Sequence, residues 1–365
     1  MATFNGQLRS NEIFAALYNM IISQQVFADN IATTQSELVD MAKVDGSLLG
    51  DSRLYYSTDI LGSEPWGNDA EATNLLALHR PSAPDVQKIV LDQFRQISLT
   101  VDNYLSKRAW GTEGAFASFN GVMTGWIGET KRIYEAKLFN TFIGTNKATG
   151  AAQNVTLTLP TDTDPEGQAR LRAQAIAKGL ADLFVAMADA GRAYNDNGNY
   201  RSFDKKDMVI VWNADYANEI TKVDLPTVFH DEKVGLSFDH VLPAKYFGEL
   251  ASSSGVGDGS YRSFIEKDYN TVARTSSEYD KSKHIFPGDV IPTSASFGAY
   301  EAYLPDSSVI CKVYHKNAVP MISAFEVGTS FYNPKSLTEN QYLTWGYNTL
   351  ENLDNYPFVT VKEGS

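Results

Sequence analysis

The spacing of apolar side chains changes several times along the chain, and each change predicts a different element. Near the start, Phe14, Leu17, Tyr18, Ile21 and Ile22 recur at helical spacing behind Ser10, a suitable N-cap. A weaker helical stretch covers 35–44 and stops at Asp45-Gly46. Leu54-Tyr55-Tyr56-Ser57-Thr58 reads as a strand, and turn-rich sequence follows with Gly62, Pro65, Gly67, Pro81 and Pro84. A long strand is then predicted over 86–101, its end alternating Ile97, Leu99 and Val101 with Gln96, Ser98 and Thr100. Such a strand would reach about 45–50 Å, well beyond the usual length. Two long strands around an irregular tip predict an arm that leaves its own domain.

Residues 113–143 carry the longest helical signal. Phe116, Phe119, Met123, Trp126, Ile127, Tyr134, Leu138 and Phe142 follow one stripe of a rod about 45 Å long. Gly121, Gly125 and Gly128 each weaken it by about 1 kcal/mol relative to alanine. They either admit a close neighbour or let the rod bend, and close packing is the favoured expectation. After the strand Val155–Leu159, Asp164-Pro165 opens a helix with aspartate as N-cap and proline in the first turn. Leu171, Ala175, Ile176, Leu180, Leu183, Phe184 and Met187 mark its buried face. A continuous apolar run, Met208–Trp212, predicts a buried strand, and Asn213 can cap the short helix behind it. Strand, cap and helix form an α/β unit. Residues 250–295 read as a long surface excursion anchored by Phe264 and Ile265. Strands resume at about 299–303, 309–314, 322–332, 341–350 and 358–362, and no repeat of fixed period occurs.

The 365 residues suit two or three compact units, and 43% hydrophobic with 21% charged residues is ordinary globular usage. A net charge of −13 repels phosphate backbones and argues against nucleic-acid binding as the main activity. Cys311 stands alone, which excludes an internal disulfide and a cysteine zinc cage. The best apolar run, Ile13 to Ile22, is too short for a bilayer and contains Asn19, so neither a membrane anchor nor a signal peptide is expected.

The residue patterns carry no catalytic signature. Gly255-Val256-Gly257-Asp258-Gly259-Ser260 has glycines without the strand–helix setting of a phosphate loop. Asp162, Asp164, Glu166 and Gly167 imitate half a calcium loop, but Ala173 stands where a bidentate glutamate is needed; a helix start accounts for them. The five histidines lie at least ten positions apart. Cys311 and His315 share one strand face, yet four residues separate them by about 13 Å, too far for a thiol–imidazole pair; a half-buried cysteine is expected. No catalytic, cofactor or metal residue is therefore assigned. One further feature remains: Leu343, Trp345 and Tyr347 oppose Tyr342 across a strand that is apolar on both faces. Such a strand is buried on both sides, by its own domain or by a neighbouring subunit.

The order of parts resembles the major capsid proteins of tailed bacteriophages, the Hong Kong 97-type fold, and specific segments look like its short-tailed, podophage-like branch. Arg53-Leu54-Tyr55-Tyr56 through Asp102-Asn103-Tyr104 is similar to the extended loop of that family. Ala115-Phe116-Ala117-Ser118-Phe119 onward resembles the spine helix, and Val209–Tyr216 the strand-then-helix of the axial domain. Glu326 to Lys335, with the strands between Tyr342 and Val361, looks like the returning peripheral domain.

The resemblance implies an α+β fold with an N-terminal arm (1–52), an extended β-hairpin loop (53–99), a peripheral domain with the spine helix (100–163), a mixed α/β axial domain (164–320) and returning peripheral strands (321–365). It implies a non-enzymatic structural protein of the virion, made in the bacterial host cytoplasm, without cofactor. Copies would form hexamers and pentamers that close an icosahedral shell around double-stranded DNA, with no sequence-specific binding and no membrane. A separate scaffold protein and a portal are the implied partners, since only about 50 residues precede the loop. No lysine lies between Lys43 and Lys88, so the loop tip offers no amine for the isopeptide crosslink of some relatives. Trp66, Ile60, Leu61, Leu76 and Leu78 of the loop, with Tyr342 and Trp345, are the candidate subunit contacts. An encapsulin-type bacterial nanocompartment shell is the first alternative. An unrelated α/β enzyme and a glycan-binding virion adhesin are the others.

Overall fold

The structure, a computed structural model, describes residues 37–46, 50–63, 78, 80–102, 113–146, 153–221, 238–251, 261–264, 290–292 and 302–364. In chain order, α1 (Glu37–Ala42) leads into β1 (Lys43–Asp45), β2 (Ser52–Ser57), β3 (Asp85–Val90) and β4 (Gln93–Asp102). The long helix α2 (Glu113–Gly144) follows, then β5 (Thr145–Asn146), β6 (Asn154–Leu157), α3 (Pro165–Ala188), β7 (Met208–Asn213) and α4 (Ala214–Thr221). Short strands come next: β8 (His240–Leu242), β9 (Gly248–Ala251), β10 (Tyr261–Phe264), β11 (Val290–Pro292) and β12 (Ala302–Pro305). The chain closes with β13 (Val309–His315), β14 (Met321–Asn333), β15 (Thr338–Tyr347) and β16 (Phe358–Glu363).

The centre is a five-stranded sheet in the order β6-β16-β13-β7-β8, with β13 antiparallel to both β7 and β16. Its strands are apolar on both faces because both faces are covered. On one side Ile210, Trp212, Val313, Val359 and Val361 pack against Ile176, Leu180 and Phe184 of α3 and Tyr216 and Ile220 of α4. On the other, Val211, Tyr314 and Phe358 meet Leu138, Phe139 and Ile143 of α2. Helix α3 starts as its sequence dictates: Gly167 N donates to Asp164 Oδ2 at 3.0 Å, and Pro165 stands in the first turn. The half calcium loop is thus a helix cap.

A second sheet, β1-β14-β15-β4, lies along the same rod. Arg95, Ile97, Leu99 and Val101 of β4 share one face with Leu343 and Trp345 of β15, in register Arg95 opposite Trp345 and Ile97 opposite Leu343. The predicted alternation of β4 therefore holds. Trp345 rests edge-on against Tyr134 of α2, ring centroids 5.9 Å apart, and Tyr134 shares a 2.6 Å hydroxyl contact with Tyr347. Residue Gly144 ends the rod where a Cβ would collide with the Tyr246 carbonyl, so only glycine permits that approach.

Four expectations change. The single strand over 86–101 is two strands: β3 pairs with β2, whereas β4 pairs with β15. The break falls at Leu91, which turns into a core with Ile89, Ile322 and Leu353, and at Asp92, whose carboxylate accepts from Thr349 N and Oγ1. Close packing is not found at two of the three rod glycines: a Cβ at Gly125 or Gly128 would meet nothing within 4 Å among the described residues, and Trp126 of the predicted stripe is exposed; the surroundings of Gly121 lie outside the described residues. The 250–295 excursion contributes β9, β10 and β11 to a third sheet, ordered β11-β10-β12-β9-β5. Strands of three or four residues are too short to leave a period in the sequence. Strand β16, read as part of the returning peripheral region, lies in the central sheet.

Candidate functional site

Hairpin β2–β3 is where the fold stops covering its own apolar side chains. Its ladder pairs Ser52 with Val90, Leu54 with Lys88, Tyr56 with Val86 and Ser57 with Asp85. Alternation places Arg53, Tyr55 and Ser57 on the face shared with the buried Ile89. Leu54, Tyr56 and Val86 share the other face, and all three are exposed. Beyond the ladder, Ile60 is 61%, Leu61 75% and Leu78 80% exposed. Of the seven candidate contacts, these three thus sit at the emerging loop; Trp66 and Leu76 lie outside the described residues.

Tyr342 and Trp345 are on opposite faces of β15. Tyr342 is half-buried on the outer face, opposite Ser98 and Thr329, with the Phe331 ring 6.2 Å away. Trp345 is only 3% exposed, buried by the rod of its own chain. The two-sided strand is therefore buried by its own domain along one face. The Trp345 indole N–H has no hydrogen-bond partner among the described residues, and it borders a cavity of about 110 Å³ with Lys43, Lys131 and Glu135. Buried Glu135 bridges Lys43 at 3.1 Å and Lys131 at 3.5 Å, and Lys131 reaches Glu326 at 2.7 Å. These ion pairs tie β1, the rod and β14 together.

The sequence reading missed Leu54, Tyr56 and Val86, and the exposed Val327, Phe331 and Tyr332 of β14. Alternation assigned faces to these strands, but which face the body covers depends on residues hundreds of positions away.

The thiol–imidazole reading of Cys311 and His315 finds no support in the geometry. Cys311 is fully buried, not half-buried, and burial pushes its thiol far up, out of the nucleophilic range. His315, four positions on, stacks on Tyr356 at 4.4 Å and accepts at Nδ1 from Asn317 N. Among the described residues no group of three or more His, Cys, Asp and Glu is arranged to hold a metal ion, and no helix is long and apolar enough to cross a membrane.

Comparison with known proteins gives a consistent result. The model of the Phi29-like phage major capsid protein family matches residues 7–350. The capsid structure of Staphylococcus phage Andhra aligns at 13% identity and TM-score 0.59, over 89% of this chain and 83% of that one. A chain in the structure of head fiber and inner core protein gp22 of native bacteriophage P68 aligns at 10% identity and TM-score 0.63, over 93% and 87%. At such identities the structural likeness is one of fold. No curated protein sequence matches.

Proposed function

The chain belongs to the Phi29-like phage major capsid protein family, and from that premise we propose that copies of it, as hexamers and pentamers, close an icosahedral shell around double-stranded DNA. As a phage major capsid protein it is a structural component of the head shell and its place is the virion. Nothing in the comparisons favours an encapsulin.

One observation carries the finer reading. The fold leaves Leu54, Tyr56, Val86, Ile60, Leu61 and Leu78 exposed on and just beyond one hairpin. Each such side chain, fully buried by a neighbour, would stabilise the contact by about 1.5–3 kcal/mol. Ile60, Leu61, Trp66, Leu76, Leu78 and Tyr342 are accordingly proposed as contacts between copies. Trp345, already buried, would hold β15 against the rod. The proposed division remains an arm, 1–52, a loop, 53–99, a peripheral region, 100–163 and 321–365, and an axial region, 164–320, with β6 and β16 crossing into the axial sheet. A net charge of −13 suits an enclosure whose surface does not adhere to packaged DNA. A separate scaffold protein and a portal complete the proposed partners, with synthesis in the host cytoplasm.

The test is electron microscopy of the full chain beside a variant whose residues 58–84 are replaced by a short Gly-Ser turn. We expect closed particles from the first. From the second we expect a folded subunit of unchanged melting midpoint and no closed particles. Unfolding of the variant would make the loop part of the core and refute this architecture.

A further inference from the structure

The exit of the extended loop is gripped by a polar clasp belonging to the same chain. Where β2 ends and the loop begins, Ser57 is buried and its hydroxyl makes three hydrogen bonds. Ser57 Oγ donates to Asn355 Oδ1 at 2.8 Å and accepts from Asn199 Nδ2 and Arg201 Nη2, each at 3.0 Å. That is the full capacity of a hydroxyl. Asn199 Nδ2 also donates to Asp85 Oδ2 at 3.0 Å on the returning strand, so one amide group spans both sides of the hairpin. Arg201 continues outward: Nη2 donates to the Thr58 carbonyl at 2.7 Å, and Nε to Asn355 Oδ1 at 2.8 Å. One residue further, Asp59 accepts from Tyr200 N at 2.9 Å and pairs with Arg192 at 2.6 Å. The Tyr200 N–H, with Arg192, holds the Asp59 carboxyl below the usual carboxylate range.

The gripping segment is itself rigidly built. Gly191 and Arg201 form a backbone bridge. Between them, buried Asn195 and Asn199 bond reciprocally: Asn195 Nδ2 donates to Asn199 O at 2.7 Å, and Asn199 N to Asn195 Oδ1 at 2.8 Å. Gly198 supplies the turn with φ +66°, and Arg192 Nη1 donates to its carbonyl at 2.6 Å. Arg192 also lies over the Tyr200 ring at 4.3 Å. Asn355, the remaining member, comes from the segment between β15 and β16.

Resting on the assembly reading above, we propose that Arg201, with Ser57 and Asn199, is a positioning device for shell assembly: it fixes the direction in which residues 57–63 leave the body, so that each copy presents Ile60 and Leu61 to its neighbour already aimed. A ladder of six pairs open at one end would otherwise fray where the loop begins. Presenting the loop pre-aimed lowers the ordering cost of each contact between copies.

The experiment uses the full chain with Arg201→Ala, Arg201→Lys and Ser57→Ala. It reads three quantities: melting midpoint, amide hydrogen exchange, and particle size distribution by electron microscopy. For Arg201→Ala we expect a melting midpoint close to wild type and exchange about tenfold faster at residues 56–60 and 85–87, with no change in β13. We also expect loss of the uniform particle population. Arg201→Lys keeps the charge without the planar fork, and should restore particles only in part. Ser57→Ala should reproduce the loop effect with the smaller change. If wild type forms no particles, the assembly reading fails and the exchange result alone judges the clasp. If wild type assembles and Arg201→Ala does so with equal yield and uniformity, the inference is overturned. Should Arg201→Ala not fold, Ser57→Ala decides: uniform particles with unchanged exchange at 56–60 would overturn the proposal equally.

Discussion

β13 and β14 are neighbours in sequence and opposites in design. Every residue of β13 is buried, its two faces covered by helices of its own chain. β14 begins buried at Met321 and Ile322, but from Glu326 to Asn333 all of its residues are exposed. Phe331 and Tyr332 are successive residues, hence on opposite faces, and they are 63% and 55% exposed. The first strand belongs to a fold that completes itself. The second, like hairpin β2–β3, stays unfinished in the lone subunit. The proposed shell role would use both: a centre stable before assembly, and exposed apolar surfaces for a neighbour to cover.

The largest effect should come from breaking the complete side. Trp212 is fully buried and stacks on Phe238, ring centroids 4.8 Å apart. Trp212→Ala should cost about 3–5 kcal/mol of subunit stability. Denaturant unfolding would register it directly, and particles should vanish because the folded subunit does. A midpoint within experimental scatter of wild type would mean that this sheet is not the chain's stabilising centre.

The unfinished side should behave in the opposite way. Phe331→Ser with Tyr332→Ser removes two large exposed apolar groups from the end of β14. Such surface changes usually alter stability by no more than about 0.5 kcal/mol, so unfolding curves should nearly overlay. Particle yield should nevertheless fall. Stability dropping by several kcal/mol would show that the lone subunit buries these rings, and the contrast between the two strands would collapse.

What the sequence disclosed follows the same line. The locally determined elements were legible: Met208–Trp212 as a two-sided run, α3 from Asp164-Pro165 and its apolar spacing, and β4 from strict alternation. Each is fixed by residues close together in the chain. The split at Leu91-Asp92 was hidden because the alternation of β3 and β4 joins smoothly, and the cause is Thr349, far along the chain. The clasp was hidden for the same reason. Ser57, Asn199, Arg201 and Asn355 carry no spacing that links them, and only the fold brings them together. Of the candidate contacts, Trp345 misled by chemistry alone: a tryptophan suits an interface and a core equally, and here its own rod covers it.

The smallest effect concerns His315, at the end of the sealed strand, and it tests how completely that strand is closed. Its ring stacks on Tyr356, lies edge-on to Phe203 at 6.2 Å, and accepts from Asn317 N at Nδ1, so this geometry suits the neutral imidazole. Burial lowers its pKa, with Lys316 acting in the same direction, against the opposing pull of Asp207. The unfolded chain, with an ordinary histidine pKa of about 6.5, then binds the proton more readily than the folded chain does. Above that pH both states are neutral and the contribution to stability is whole. As pH falls below about 6.5 the unfolded state gains protons first and stability declines, down to the folded pKa. Melting midpoints at pH 7.5 and 5.5 should therefore differ more in the wild type than in His315→Gln, which cannot titrate there. Equal differences in the two proteins would mean that His315 takes up a proton in place, and that the end of β13 is open to water.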